Sequence, residues 1–306
     1  MKFAFIRDLD EEEQRKPRKG RIPVSLICEV LDVSRSGFYA WLKRNRSDRK
    51  KEDAELTEVI KKIHEDHKGR LGVDRLVAEL ARLGRRHSPR RVRRLARAAG
   101  LTCVHPRPYR ATTIQDKANS GLVDLVGREF VPDGPNQLWF TDITYIRTWG
   151  GWAYLASIID GYSRKIVGWA VDSHMRTSLV IDALRMAIEG QRPGIGDVII
   201  HSDRGSQYTS IEFRELALAN GLIPSVGHTG ICYDNAMSES FNATIKKELI
   251  HLHTWPTRKA VRNAVFEYIE VYYNRKRPHS SIGYVTPCEL EHNSLETIAN
   301  GIEEAA

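Results

Sequence analysis

A chain of 306 residues with 41% hydrophobic and 28% charged side chains is long enough for about two or three packed units, and it has no apolar run of about 18 residues to span a bilayer. The opening MKFAFIRDLDEEEQRK lacks the basic-then-apolar order of a secretion signal, and Cys28, Cys103, Cys232 and Cys288 are too scattered for a disulfide framework or a paired zinc knuckle, so a cytoplasmic chain with reduced thiols is expected. The formal charge of +8 is uneven: residues 1–110 hold 29 Lys and Arg against 16 Asp and Glu, a balance suited to gripping a polyanion with the front and collecting divalent cations with the mildly acidic back.

In chain order, IPVSLICEVLDVSRSGFYAWLKRN (22–45) reads as two short amphipathic helices around a break at Leu31-Asp32-Val33, with Ser34 placed to cap the second. This is a helix-turn-helix pattern, in which the second helix buries Phe38, Trp41 and Leu42 and offers Arg35, Ser36 and Tyr39 to a DNA groove; an ordinary helical hairpin is the alternative. A second helical unit follows, with helices expected at 53–67, 72–84 and 88–100. The last begins with Ser88 at the cap and Pro89 in the first turn, and its apolar stripe Val92, Leu95 and Ala96 is surrounded by Arg90, Arg91, Arg93, Arg94 and Arg97. That is more charge than a solvated helix needs, and phosphate contact is the reading.

Residues 103–137 hold four prolines and few periodic apolar positions, as a linker does. Beyond them the period changes. LWFTDITYIRT (138–148), WAYLASIID (152–160) and KIVGWAV (165–171) are β-branched and aromatic runs joined by short turns, predicting consecutive hairpins. Helices are expected at 177–190, about 210–220, about 233–250 and 257–274, with strands at 197–203 and near 222–227. Helix-turn-helix units followed by an α/β domain result, divided at 1–48, 49–110, a linker at 111–134, a catalytic domain at 135–292 and a tail at 293–306.

Asp142 lies inside an otherwise apolar strand, Asp203 ends another, and Glu239 sits on the helix YDNAMSESFNATIKKEL. A carboxylate buried without a partner is costly, so such residues imply a cation or a metal, although a single one is more simply a surface or salt-bridged Asp. Three at element ends suit a pair of hard divalent ions that activate a water or a 3′-hydroxyl for in-line attack at phosphorus.

FTDITYI, HSDRGSQYTS (201–210) and DNAMSESFNATIKKE (234–248) resemble the three signature blocks of integrase-type transposases, specifically the second-frame (OrfB-type) product of the insertion-sequence-three family. Thirty-five residues separate Asp203 from Glu239, as in that family and in retroviral integrases, and Lys246 follows Glu239 by seven, on the same helix face. The closing words YNRKRPHSSIGYVTPCE (273–289) match as well, whereas GRLGVDRL (69–76) departs from the expected wording of the second DNA-binding unit. The resemblance implies a ribonuclease-H-like core with catalytic and metal-ligating Asp142, Asp203 and Glu239. It further implies two magnesium ions, or manganese in their place, and strand cleavage and joining at the terminal inverted repeats of a mobile element and at target DNA. A homodimer or larger assembly on DNA, nucleoid association in a bacterium, and an upstream-frame partner or fusion complete the expectation. A DNA-binding regulator with an inert core is the rival, opposed by the intact acids.

Among other residues, Asp160 precedes a turn glycine and reads as structural, and His201 and His228 read as structural or substrate-positioning. Asn235 lies one turn before Glu239, and Arg204 and Gln207 adjoin Asp203, positions fit to orient carboxylates or to grip DNA; Lys246 is assigned to DNA, with a solvated lysine as the alternative. Trp139, Trp152 and Trp169 are expected in the core, and Arg275, Lys276, Arg277 and His279 on a phosphate backbone, with a helix-end dipole effect as the alternative.

Overall fold

The computed structural model describes residues 2–15, 21–43, 48–104, 126, 132–194, 196–227 and 236–305. Residues 1–62 and 63–306 form two compact units.

In the first unit, α1 (Lys2–Gln14), α2 (Val24–Val30) and α3 (Arg35–Lys43) pack on one another around Ile6, Ile27, Cys28 and Phe38. The turn expected between α2 and α3 is present: Asp32 takes φ 49°, and the Ser34 hydroxyl accepts the Gly37 N–H at 3.0 Å. Arg35, Ser36 and Tyr39 face solvent as expected, but Leu42 does too, at 48% exposure. The cause is α1, which the sequence reading left unassigned. Its Phe3 lies 6.2 Å from the Phe38 ring and 6.0 Å from Trp41, so α3 closes on its 38/41 edge and turns Leu42 outward. A long helix, α4 (Asp48–Asp66), follows.

In the second unit, α5 (Val73–Arg82) packs on α6 (Pro89–Ala98). Ser88 caps α6 by accepting the Arg91 N–H at 3.3 Å, Pro89 fills the first turn, and Val92, Leu95 and Ala96 are buried. Arg90, Arg93, Arg94 and Arg97 are exposed and Arg91 is half-buried, the distribution that the stripe predicted.

Five strands follow: β1 (Leu138–Thr148), β2 (Gly151–Asp160), β3 (Ile166–Asp172), β4 (Val198–Ser202) and β5 (Leu222–Val226), in the order β3-β2-β1-β4-β5. The first three are antiparallel neighbours, and β4 joins the far side of β1 in parallel, with β5 parallel beyond it. Alternation sends Trp139, Ala156, Ile158 and Val167 to the face covered by α7 (Thr177–Gln191) and α8 (Ile211–Ala219). Gly168 permits this close approach, because a Cβ there would run into the Ala183 carbonyl. The opposite face, with Leu138, Phe140, Ile146, Leu155 and Val171, is covered by α9 (Ala236–Glu248) and α10 (Arg258–Phe266).

The expected helix 257–274 is not uniform. Past Phe266 it widens into a π segment, Glu267–Tyr273, which brings Tyr268, Ile269, Tyr272 and Tyr273 together in the interior. Residues 293–305 belong to α11 (Pro287–Ala305), a helix that crosses the anticipated boundary at 292. It opens with a capping box: Thr286 Oγ1 accepts the Glu289 N–H at 3.3 Å and Glu289 Oε2 accepts the Thr286 N–H at 2.8 Å. Of the tryptophans expected in the core, Trp139 is fully buried and Trp169 half-buried, donating to Glu270 at 2.8 Å, but Trp152 is 45% exposed. It lies beside the β1–β2 turn, at the far end of the sheet from the Leu138–Phe140 segment that β4 pairs.

Candidate active site

The sheet register brings two of the three carboxylates level. β4 pairs with β1 at Leu138–Phe140, Phe140 standing beside His201, so two further residues along parallel chains carry Asp142 and Asp203 to the same height. Asp142 sits where β1 has just passed the end of β4, and Asp203 in the turn that leaves β4, its Oδ1 accepting the Gly205 N–H at 3.0 Å. Glu239 projects from the first turn of α9, which packs on β1.

Asp142 is held by two hydrogen bonds. Its Oδ2 accepts Nδ2 of Asn242 at 2.8 Å and its Oδ1 the N–H of Ile143 at 2.8 Å. Burial nevertheless pushes its pKa up to about 7, with the negative charge of Asp203 next in effect and that of Glu239 adding to it, against the lowering by the two hydrogen bonds. Burial also raises Asp203, opposed by the Gly205 N–H. The charge of Asp203 thus acts on Asp142 in the same direction as burial.

Tyr208 and Asn242 complete the surroundings, and the sequence reading singled out neither. Tyr208 is buried, accepts a hydrogen bond from Thr141 Oγ1 at 3.2 Å, and is raised by burial and then by the Asp142 charge. Asn242 is three residues after Glu239 on α9; its side chain is buried at Asp142, with its Oδ1 lacking a hydrogen-bond partner among the described residues, whereas Glu239 is exposed. The signal was present in the word SESFNATIKKE: an amide one turn beyond the acid, on the same face.

The other anticipated residues fall as follows. Arg204 Nε donates to the Gly227 carbonyl at 2.9 Å, tying the turn after β4 to the end of β5, and Gln207 Nε2 donates to the Met175 carbonyl at 2.9 Å. The Lys246 ammonium stands 5.2 Å above the Tyr145 ring. Asn235 and His228 lie outside the described residues. Asp160 is structural: buried, it accepts the N–H of Asn136 at 3.0 Å and both the N–H and the hydroxyl of Ser163 at 2.7 Å, closing the β2–β3 turn. His201 is buried beside Ser225, their Nδ1 and Oγ 3.0 Å apart.

A phosphate role for Arg277 and His279 is corrected. Arg277 is 3% exposed and clasps the equally buried Glu248 through Nε at 2.9 Å and Nη2 at 2.8 Å, while His279 Nε2 lies 2.9 Å from Arg277 Nη1. Burial and the adjacent guanidinium push His279 down to about 2, so it is neutral and accepts from the arginine. Tyr268 donates to Glu248 at 2.9 Å, Arg70 Nε donates to the Glu248 carbonyl at 3.1 Å, and Arg75 stands 3.7 Å from the carboxylate. Arg275 and Lys276 remain exposed.

Hard carboxylate oxygens are chemically fit for magnesium, and the buried Oδ1 of Asn242 is a further acceptor suited to a metal-bound water. Among the described residues no three carboxylate, imidazole or thiol side chains close around one point as a complete cage would; Glu239 stands immediately after 228–235, which lie outside the described residues.

Known proteins supply the family. Models of the integrase core domain match residues 132–232 and 220–287, and a model of an HTH-like domain matches residues 50–109. Over 298 residues, 96% of this chain and 100% of the other, the sequence is 35% identical to transposase InsF of insertion sequence IS3A from Escherichia coli K12. The chain belongs to the IS3-family transposases. This transposase is also 40% identical over 261 residues to the uncharacterized 31 kDa protein of insertion element IS600 from Shigella sonnei, covering 85% of this chain and 96% of that one. To the putative transposase of IS986/IS6110 from Mycobacterium tuberculosis H37Rv it is 40% identical over 266 residues, covering 85% and 95%. Its integrase core makes it a DNA polynucleotidyl transferase acting in transposition, with an HTH-like domain for DNA binding. Among the described residues no helix is long and apolar enough to cross a membrane.

Proposed function

We propose that Asp142, Asp203 and Glu239 are the catalytic acids of this transposase and that they hold two magnesium ions, for which manganese can substitute. The observation that carries the reading is the register that brings Asp142 level with Asp203 at the end of β4 in an integrase core, where burial and the charge of Asp203 push Asp142 up to about 7. Ions bound there would supply Lewis-acid activation of a water or 3′-hydroxyl and would neutralise the leaving oxygen. The protein's own residues do the rest. Asn242 fixes the Asp142 carboxylate, and the turn Asp203–Gly205 fixes the second acid. Lys246 reaches from the Glu239 face toward the DNA. The exposed arginines of α6, Arg90, Arg94 and Arg97, with half-buried Arg91, contact phosphates, and Arg35, Ser36 and Tyr39 on α3 enter a groove.

The substrates are the terminal inverted repeats of the element that encodes the chain, and target DNA. Hydrolysis breaks one phosphodiester to free a 3′-hydroxyl, which then forms a new bond to a second phosphorus as that phosphorus loses its own bridging oxygen. Two or more copies hold the two ends, and an upstream-frame partner adds DNA binding. The test is incubation of the purified chain with labelled DNA flanking its own gene, with magnesium or chelator, beside Glu239→Gln. Nicked and joined strands with magnesium, and binding without either product in the variant, are expected; binding by both proteins without cleavage by either would make the chain a DNA-binding regulator.

A further inference from the structure

The β1–β2 hairpin holds three large aromatic side chains in solvent: Tyr145 at 46%, Trp149 at 78% and Trp152 at 45% exposure. Tyr145 stands opposite Tyr154 and Arg147 opposite Trp152, so Tyr145, Arg147 and Trp152 share one face of the hairpin. The Tyr145 and Trp152 rings meet edge-on with centroids 5.3 Å apart. The Lys246 ammonium rests over the Tyr145 ring although its helix packs on the opposite face of the sheet. That reach fits the geometry of β1, whose pairing with β4 among the described residues covers Leu138–Phe140.

The hairpin itself carries charge of one sign, while Asp172 of β3 stands beside Tyr154 on the same face. Between Asp142 and Asp160 the sequence contains no acidic residue, Arg147 is exposed, and Arg258 donates to the Trp152 carbonyl at 2.9 Å, adding a third cation. Exposed aromatic faces interleaved with cations suit unpaired DNA, whose bases stack on rings while its phosphates take the charges. Tyr145 is three residues along β1 from Asp142 and on the opposite face, and the link to the candidate site is Lys246, which comes from the helix that carries Glu239 and stands at the Tyr145 ring. An ammonium over an exposed ring is weakly held, so a phosphate can draw it away to a charge-assisted contact.

We propose that Tyr145 and Trp152 form a stacking platform for an unpaired base next to the scissile phosphodiester, and that Lys246 exchanges from the Tyr145 ring to a phosphate when DNA arrives. The proposal rests on placing the chemistry at Asp142. Stacking anchors the strand end, so that the reacting phosphorus stays in line with its nucleophile.

The probe is duplex DNA of the sequence flanking the gene, with a 2-aminopurine in a short unpaired 3′ end, added to the full chain in chelator. Wild type should quench the fluorescence. Tyr145→Ala and Trp152→Leu should lose the quenching and bind the frayed end about tenfold more weakly, with less than a twofold change on blunt duplex. Tyr145→Phe, which keeps the ring, should behave as wild type. Quenching retained in both ring-removing variants overturns the platform, and so does a change confined to oligomeric state, which would assign the patch to a second copy of the chain. Glu239→Gln separates the two readings: it should quench normally and not cleave in magnesium, whereas cleavage by that variant would sink the assignment of the acids and leave the stacking result standing.

Discussion

Asn242 donates its amide to Asp142 at 2.8 Å from one helical turn beyond Glu239, so one face of α9 both presents an acid to the site and steadies the acid opposite. Asn242→Ala should lower activity or metal affinity about 10- to 100-fold while DNA binding stays near wild type. Metal titration against activity, beside a filter-binding assay, checks this. An unchanged metal dependence would reduce Asn242 to packing.

The raised Asp142 carboxyl makes metal binding depend on pH near neutrality. A carboxyl pushed up to about 7 carries a proton below that pH and is ionised above it, and a divalent cation needs the ionised form. Apparent magnesium affinity should therefore climb toward about pH 7 and flatten beyond it. Calorimetry in buffers of different ionisation heat should find about one proton released per binding event at about pH 6 and little at about pH 8. Equal release at both would contradict the shift.

Arg277 and Glu248 form a buried pair, and removing one partner strands the other. Arg277→Met should destabilise the chain by about 3–5 kcal/mol, and the double change Arg277→Met, Glu248→Leu should cost less than that single one. Urea unfolding of the two variants decides it. Equal losses would mean that packing, and not the stranded carboxylate, sets the cost.

Arginines 90 and 97 are exposed on α6. If each meets a phosphate, Arg90→Gln and Arg97→Gln should each lower the slope of log affinity against log salt by about 0.9, with little change in preference among sequences. An unchanged slope would return these side chains to solvent.

Much of the architecture was legible in the residues. The β-branched runs located β1 to β3 within a residue or so, and Ser88-Pro89 fixed the start of α6, because these signals are local. What escaped depended on distant partners. Leu42 cannot be told from Trp41 as a core residue until α1 arrives to choose the edge of α3. Arg277 looks like a surface cation because its carboxylate is 29 residues away. Trp152 has the composition of a core residue, and only its place near the hairpin turn exposes it. In the candidate site the three proposed acids were singled out by motif and spacing, whereas Asn242 and Tyr208 needed the packing of α9 on β1 and the burial of the turn after β4.

Glu248 lies at the end of α9 opposite Glu239, and the groups that reach it from the region matched by the HTH-like model are Arg70, through its backbone carbonyl, and Arg75. The DNA-binding module is thus not a cassette that can be exchanged at will. A chimera given another family member's module would inherit a buried carbonyl and carboxylate cut to fit two particular arginines. Retargeting this transposase to new element ends would succeed only with donors that carry those arginines, or with Glu248 redesigned in the same step.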